Sequence, residues 1–207
     1  MQALKRFSAA FALPWLLAVA TLVAQPSKLL DPAKCNDRAP EKFRAKFTTT
    51  RGDFVIAVTR AWAPLAADRF YNLVKNGFYD NTGFHRVHPG FVAQFGIHGN
   101  PAIQAKWEKA TLKDEPVKQS NTLGLVAFTA DGADSRATQI YINLKDNKSL
   151  DRQGFPVFGD VVQGIGVLAT LFPSGDKPNQ PTLLKQGNAY LKANFPRLDW
   201  VKKAVIE

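Results

Sequence analysis

Cysteine is almost missing from this chain. Cys35 is the only one in 207 residues, so no intrachain disulfide can form. The bland expectation for it is an isolated thiol near a flexible start. An intermolecular disulfide is open to it in an oxidising compartment. Histidine is scarce too, at three residues. His85 and His88 fall on opposite faces of an extended strand, and neither a cysteine nor a paired carboxylate joins them. No metal site is expected. Acidic residues are the minority charge, 17 against 27 Lys and Arg, for a net charge of +10. The basic residues are dispersed, without a long run or a recognisable binding motif. That excludes specific nucleic-acid recognition and leaves only general attraction to acidic surfaces. There is no internal repeat and no low-complexity tract. Beyond the first 24 residues no apolar run is long enough to span a bilayer.

What is present begins with the N-terminus. Lys5 and Arg6 precede an uncharged apolar run from Phe7 to Ala24, interrupted by Pro14, with small residues crowding its end. Residues 1–24 read as a secretory signal peptide, with an uncleaved anchor as the alternative. Residues 25–40 read as a linker and 41–207 as one globular domain. The product is expected to be exported, periplasmic or secreted, and monomeric. Fifteen Phe and four Trp point to a phenyl-rich core, and 13 Pro with 14 Gly point to many turns.

Residues 42–59 alternate on both sides of Arg51-Gly52, the signature of a β-hairpin. Arg51-Gly52-Asp53 also spells an adhesion tripeptide, for which the hairpin turn is sufficient explanation. APLAADRFYNLVKNG then gives a helix from Pro64 to a stop at Gly77, with Ala66, Phe70, Leu73 and Val74 on one face. Strands are expected at Phe84–Val87, Phe91–Phe95, Leu123–Thr129, Thr138–Leu144 and Phe155–Val162. A helix is expected over Leu183–Asn194 and a closing strand at VKKAVI, with a helix there as the alternative. Residues 97–121 read as a long polar loop. The fold class is mainly β, a closed antiparallel barrel with helices covering its ends.

The segment FHRVHPGFVAQFG, residues 84–96, raises a chemical question. Arg86 sits in the middle of an apolar strand with no nucleophile nearby. Alternation places Phe84, Arg86 and His88 on one face. Pro89-Gly90 turns the chain, so Arg86 and Gln94 can converge beside an apolar wall. A cation and an amide next to phenyl rings suit a ligand that is mainly apolar but carries a carbonyl.

Several stretches in order resemble the cyclophilins, a family of peptidyl-prolyl cis-trans isomerases. NGFYDNTGFHRVHPGFVAQFG is similar to the family's central signature. Asp114-Glu115, Leu123–Ala127, Thr138-Gln139-Ile140-Tyr141-Ile142 and Leu150-Asp151 through Phe155-Pro156-Val157-Phe158-Gly159 resemble later motifs. The matches run over about residues 43–170, and the Leu150 spacing resembles the more divergent bacterial branch. The resemblance implies an eight-stranded barrel with a groove for Pro-containing polypeptide segments. It implies Arg86 as the catalytic residue, Gln94 and Gln139 as holders of the peptide backbone, and Phe91, Val92, Tyr141 and Leu150 as the proline pocket. Phe155 takes the position of a common histidine, and Thr129-Ala130 that of an Ala-Asn pair facing the peptide. Ser149 stands where a tryptophan is common, and Phe95 follows Gln94 where a Gly is usual. These departures bear on substrate preference more than on chemistry. The implied reaction needs no cofactor, metal or nucleophile.

Overall fold

The computed structural model describes residues 27–207; the segment read as a leader lies outside the described residues. β1 (Lys42–Thr49) and β2 (Asp53–Thr59) form the expected hairpin, in register from Lys42↔Thr59 to Thr48↔Asp53. Gly52 makes the turn at φ +129°, a conformation an L side chain rarely adopts. The alternation seen in the sequence is the burial pattern: Phe43, Ala45, Phe47 and Thr49 point inward from β1.

α1 (Pro64–Lys75) follows and has no side-chain cap of its own. Its first free N–H groups are met from a distance. The Glu115 carboxylate accepts from Leu65 N at 2.7 Å and Ala66 N at 3.0 Å. The inner face of α1 buries Ala66, Phe70, Leu73 and Val74. Phe70 packs on Phe158 with ring centroids 4.9 Å apart, and Phe47 stacks on Phe54 at 4.9 Å. Phe84, Phe95 and Phe128 complete a phenyl interior with no exposure.

The remaining strands are β3 (Thr82–Gly83), β4 (Arg86–His88), β5 (Val92–Phe95), β6 (Leu125–Phe128), β7 (Ile140–Asn143), β8 (Val157–Gln163) and β9 (Trp200–Ile206). They form one antiparallel, curled sheet in the order β3-β9-β1-β2-β8-β6-β7-β5-β4. The expected class is right and the expected detail of a closed eight-stranded barrel needs correction. Among the described residues there are nine strands, and the two ends of the order, β3 and β4, are not hydrogen-bonded to each other. Only Phe84 and His85 separate them, so the ring closes through the covalent chain. The break also changes the faces. Phe84 and Val87 both enter the main core, so only Arg86 and His88 keep the shared outer face expected for all three.

Other expectations shift as well. The helix foreseen over Leu183–Asn194 is two, α5 (Gln180–Gln186) and α6 (Asn188–Asn194), broken at Gly187 with φ +59°. The long polar loop contains α2 (Pro101–Trp107), capped by Asn100 Oδ1 accepting from Ala102 N at 2.9 Å. Two short helices, α3 (Ser149–Arg152) and α4 (Ile165–Ala169), flank β8. The described part of the segment read as a linker packs on the domain. Leu29, Cys35 and Ala39 are buried in the core cluster, and Trp107 Nε1 donates to Leu29 O at 2.8 Å. Cys35 is therefore not a thiol on a loose tail. Burial pushes its pKa up. No helix among the described residues is long and apolar enough to cross a membrane.

Candidate active site

The β4–β5 hairpin places the central pair. Pro89-Gly90 turns the chain, Phe91 N donates to His88 O at 2.9 Å, and Arg86 lies directly opposite Gln94. Gln94 is in turn opposite Tyr141 across β5 and β7. Gln94 Nε2 donates to Gln139 Oε1 at 2.8 Å, and Arg86 Nη1 lies 3.5 Å from Gln94 Oε1. The guanidinium carbon is 5.7 Å from the centre of the Phe91 ring. A polar line Arg86–Gln94–Gln139 thus runs along the outer face of the sheet, with its two amides oriented by each other.

Beside that line lies an apolar cluster distinct from the barrel interior. Val92, Ala127, Tyr141, Leu150 and Val157 are buried in it, and Phe91 and Phe155 lean on it half-buried. The Tyr141 and Phe155 rings meet edge to face at 5.9 Å. α3 delivers Leu150 to the rim. Thr129 and Ala130 continue from the end of β6, where Thr129 N donates to Gln139 O at 2.9 Å. One open groove of about 660 Å³ is lined by Arg86, Phe91, Val92, Gln94, Thr129, Ala130, Gln139, Tyr141, Leu150 and Phe155. The residues that the family resemblance implied for catalysis and peptide binding lie together on this one surface, whereas Phe95 points into the main core and Ser149 does not line the groove. The groove also has a polar end walled by Gln104 of α2, Glu108 just after it, Asp131, Ser135, and Gln180 of α5.

The support beneath the apolar wall is a ladder of three buried asparagines that sequence reasoning missed. Tyr141 Oη donates to Asn121 Oδ1 at 2.8 Å, and Asn143 Nδ2 donates to the same oxygen at 3.1 Å. Asn121 Nδ2 donates to Phe155 O and to Asp151 Oδ1, each at 2.9 Å. Asn147 Nδ2 donates to Phe91 O at 2.9 Å and to Asn143 Oδ1 at 2.8 Å. Three pocket residues, Phe91, Tyr141 and Phe155, are therefore held by one network. Burial raises the Tyr141 pKa, and the Asp151 charge adds to it, so the phenol stays protonated and donating. Burial alone would raise Asp151, but the bonds from Ser120 and Asn121 outweigh it and hold the carboxyl low. Asn143, a polar residue ending the otherwise apolar strand Ile140–Asn143, was the available signal.

The groove is electrically simple. Among the described residues Arg86 is the only Lys or Arg lining it, and Glu108 and Asp131 supply carboxylates at the polar end. Asp176 contacts Arg86 from outside the groove, through Nε. His85 is buried beneath, with Gln139 and the Gly83 backbone beside it but no well-aligned partner for either ring nitrogen. Burial pushes its pKa down to about 4, so the ring is neutral. Among the described residues no cluster of three or more His, Cys, Asp or Glu has the arrangement of a metal site.

Residues 44–185 match the family described as cyclophilin type peptidyl-prolyl cis-trans isomerase. The chain belongs to that family. It is 37% identical over 132 residues to a peptidyl-prolyl cis-trans isomerase A of Dickeya dadantii, covering 58% of this chain and 66% of that protein. It is likewise 37% identical over 131 residues to peptidyl-prolyl cis-trans isomerase B of Escherichia coli, covering 59% of this chain and 79% of that one. A cyclophilin-type isomerase of Cryptosporidium parvum shares the fold, with a TM-score of 0.60 at 21% identity over 80% of this chain and 98% of its own. The family match starts inside β1 and ends inside α5, so it contains the whole groove-forming face of this cyclophilin domain.

Proposed function

We propose that this cyclophilin accelerates cis-trans isomerisation of X-Pro bonds in exported proteins, with Arg86 stabilising the twisted imide. The observation that carries the reading is the placement of a fixed guanidinium beside an apolar pocket on one outer groove. A peptide bond resists rotation because its nitrogen shares a lone pair with the carbonyl, at a barrier of roughly 18–20 kcal/mol. Only X-Pro populates both isomers appreciably, and unaided it exchanges over tens of seconds or longer. No covalent bond needs to break. The task is to favour the twisted state over both planar ones.

Val92, Tyr141, Leu150 and Phe91 offer the pocket for the prolyl ring, which fixes one side of the bond. Gln94 and Gln139 present amide groups to the backbone on the other side. Arg86 then donates to the prolyl nitrogen, whose lone pair is free only when conjugation is lost. A bond made only in the transition state raises the rate without tightening the ground state. Arginine suits this role because it stays charged and holds its donors in a rigid plane.

The export part rests on the leader-like residues 1–24, with action in the periplasm or outside the cell. A second reading is a barrel that holds Pro segments without turnover; Thr129-Ala130, which replaces the family's Ala-Asn pair, favours it. Isomerisation of a Pro tetrapeptide by the wild type and Arg86→Ala decides between them. A wild-type rate well above background and a variant near background support the enzyme. Two equal rates near background support the binding module.

A further inference from the structure

The outer edge of β4 is not left bare. The chain returns along it at residues 174–176. Ser174 Oγ accepts from Val87 N at 3.0 Å, Gly175 N donates to Val87 O at 2.9 Å, and Val87 and Gly175 form an antiparallel bridge. Ser174 is 1% exposed, so this anchor is inside the protein. Gly175 has φ +57°. In an antiparallel pair the neighbours of bridged residues also face each other. Asp176 is thereby set opposite Arg86, on the outer face that Arg86 shares with His88.

Its carboxylate is used on both sides. Oδ1 accepts from Arg86 Nε at 2.5 Å, and Oδ2 contacts His88 Nε2 at 2.9 Å. Arg86 thus has its Nε side held by Asp176 and one Nη near Gln94, while Asp176 itself does not line the groove. Holding an arginine at Nε fixes the plane of the guanidinium and leaves the Nη groups free to donate elsewhere. The Asp176 carboxyl is held below its usual range by the Arg86 bond first and by His88 second. Asp176 is 68% exposed, and an ion pair so open to water adds little to stability. Its consequence is therefore geometric.

We propose that Asp176 is a positioning residue for Arg86: through Nε it locks the guanidinium plane so that the Nη donors face the groove. The inference rests on the reading of Arg86 as the group that meets the prolyl nitrogen. Asp176 touches no substrate. It removes the freedom of a long side chain before the peptide arrives, so its loss slows turnover and leaves binding nearly intact.

The test compares wild type, Arg86→Ala, Asp176→Ala and Asp176→Asn on one Pro tetrapeptide, with the rate at saturation and peptide affinity measured separately. Asp176→Ala is expected to lower the saturated rate about tenfold, about 1.4 kcal/mol, with affinity changed by less than about twofold. Asp176→Asn keeps an acceptor for Nε and is expected to restore part of the rate. A slow Arg86→Ala beside an Asp176→Ala at wild-type rate overturns the positioning role and leaves the catalytic reading standing. Arg86→Ala at wild-type rate overturns the catalytic reading itself. The Arg86 Nε–H resonance tests positioning without turnover. It should exchange slowly with water in wild type and Asp176→Asn and quickly in Asp176→Ala. The same exchange in wild type and Asp176→Ala contradicts the proposal.

Discussion

Arg86 and Asn121 show why some residues of the groove were readable and others were not. An arginine in an apolar strand, inside a run of family motifs, stands out on its own. An asparagine between Ser120 and Thr122 looks like a turn former, because nothing local announces that it ends up with no exposure. Its four side-chain bonds reach Tyr141, Asn143, Asp151 and Phe155, all distant in sequence. Asn121→Ala strips these bonds and leaves buried partners unsatisfied. Urea unfolding should show a loss of about 2–3 kcal/mol. Peptide binding should weaken with it, because Tyr141 and Phe155 lose their support. His85 gives a second prediction at this scale. Its folded pKa is about 4, and its unfolded pKa is ~6.5. The unfolded chain binds a proton first as pH falls, so stability is full above the unfolded value and is lost on the way down to the folded one. The loss is roughly 3 kcal/mol. Urea midpoints between pH 7 and pH 4 should fall steeply in wild type and less steeply in His85→Gln. Equal slopes would show that another group controls this window.

Elements with a strong period were legible. The hairpin, α1 and the closing strand follow from alternation or from an apolar face, and the structure keeps them. What was lost in the sequence were interruptions whose cause is tertiary. α5 and α6 read as one helix because the apolar spacing continues through Gly187. The chain breaks there because Gly187 takes a conformation open only to glycine, close against the Gly99 backbone. Gly187→Ala should cost about 1–3 kcal/mol, read as a lower thermal midpoint, and an unchanged midpoint would refute that account. The helix α2 was missed because it is short and polar on one side. Asn100-Pro101 was its signal, a cap followed by a residue suited to the first turn. The strand expected at Phe84–Val87 runs across the break at Phe84–His85, and β3 was not foreseen, because that break leaves no mark of composition. That break sends Phe84 and Val87 inward together and turns Arg86 out to the groove.

At the scale of the molecule, one sheet curls round a phenyl core and carries a second, smaller apolar cluster on its outside. That second cluster lines the outer groove, where Phe91 and Phe155 are left half-buried. The segment before β1 belongs to the same body, because the Leu29 carbonyl accepts from Trp107 Nε1 and the Leu29 and Cys35 side chains are buried in the core cluster. Cys35 should therefore react with a thiol reagent far more slowly in the native protein than in urea, and Leu29→Ala should speed the native reaction. A native rate equal to the denatured one would contradict this packing. Two-dimensional exchange NMR on a Pro tetrapeptide, with catalytic amounts of protein, measures cis-trans exchange and binding in one sample. Exchange peaks with wild type are expected well inside the uncatalysed tens of seconds. With Arg86→Ala the peptide resonances should still shift, but exchange should be slower by about a hundredfold or more. Equal exchange in both samples, with binding retained, would contradict the account.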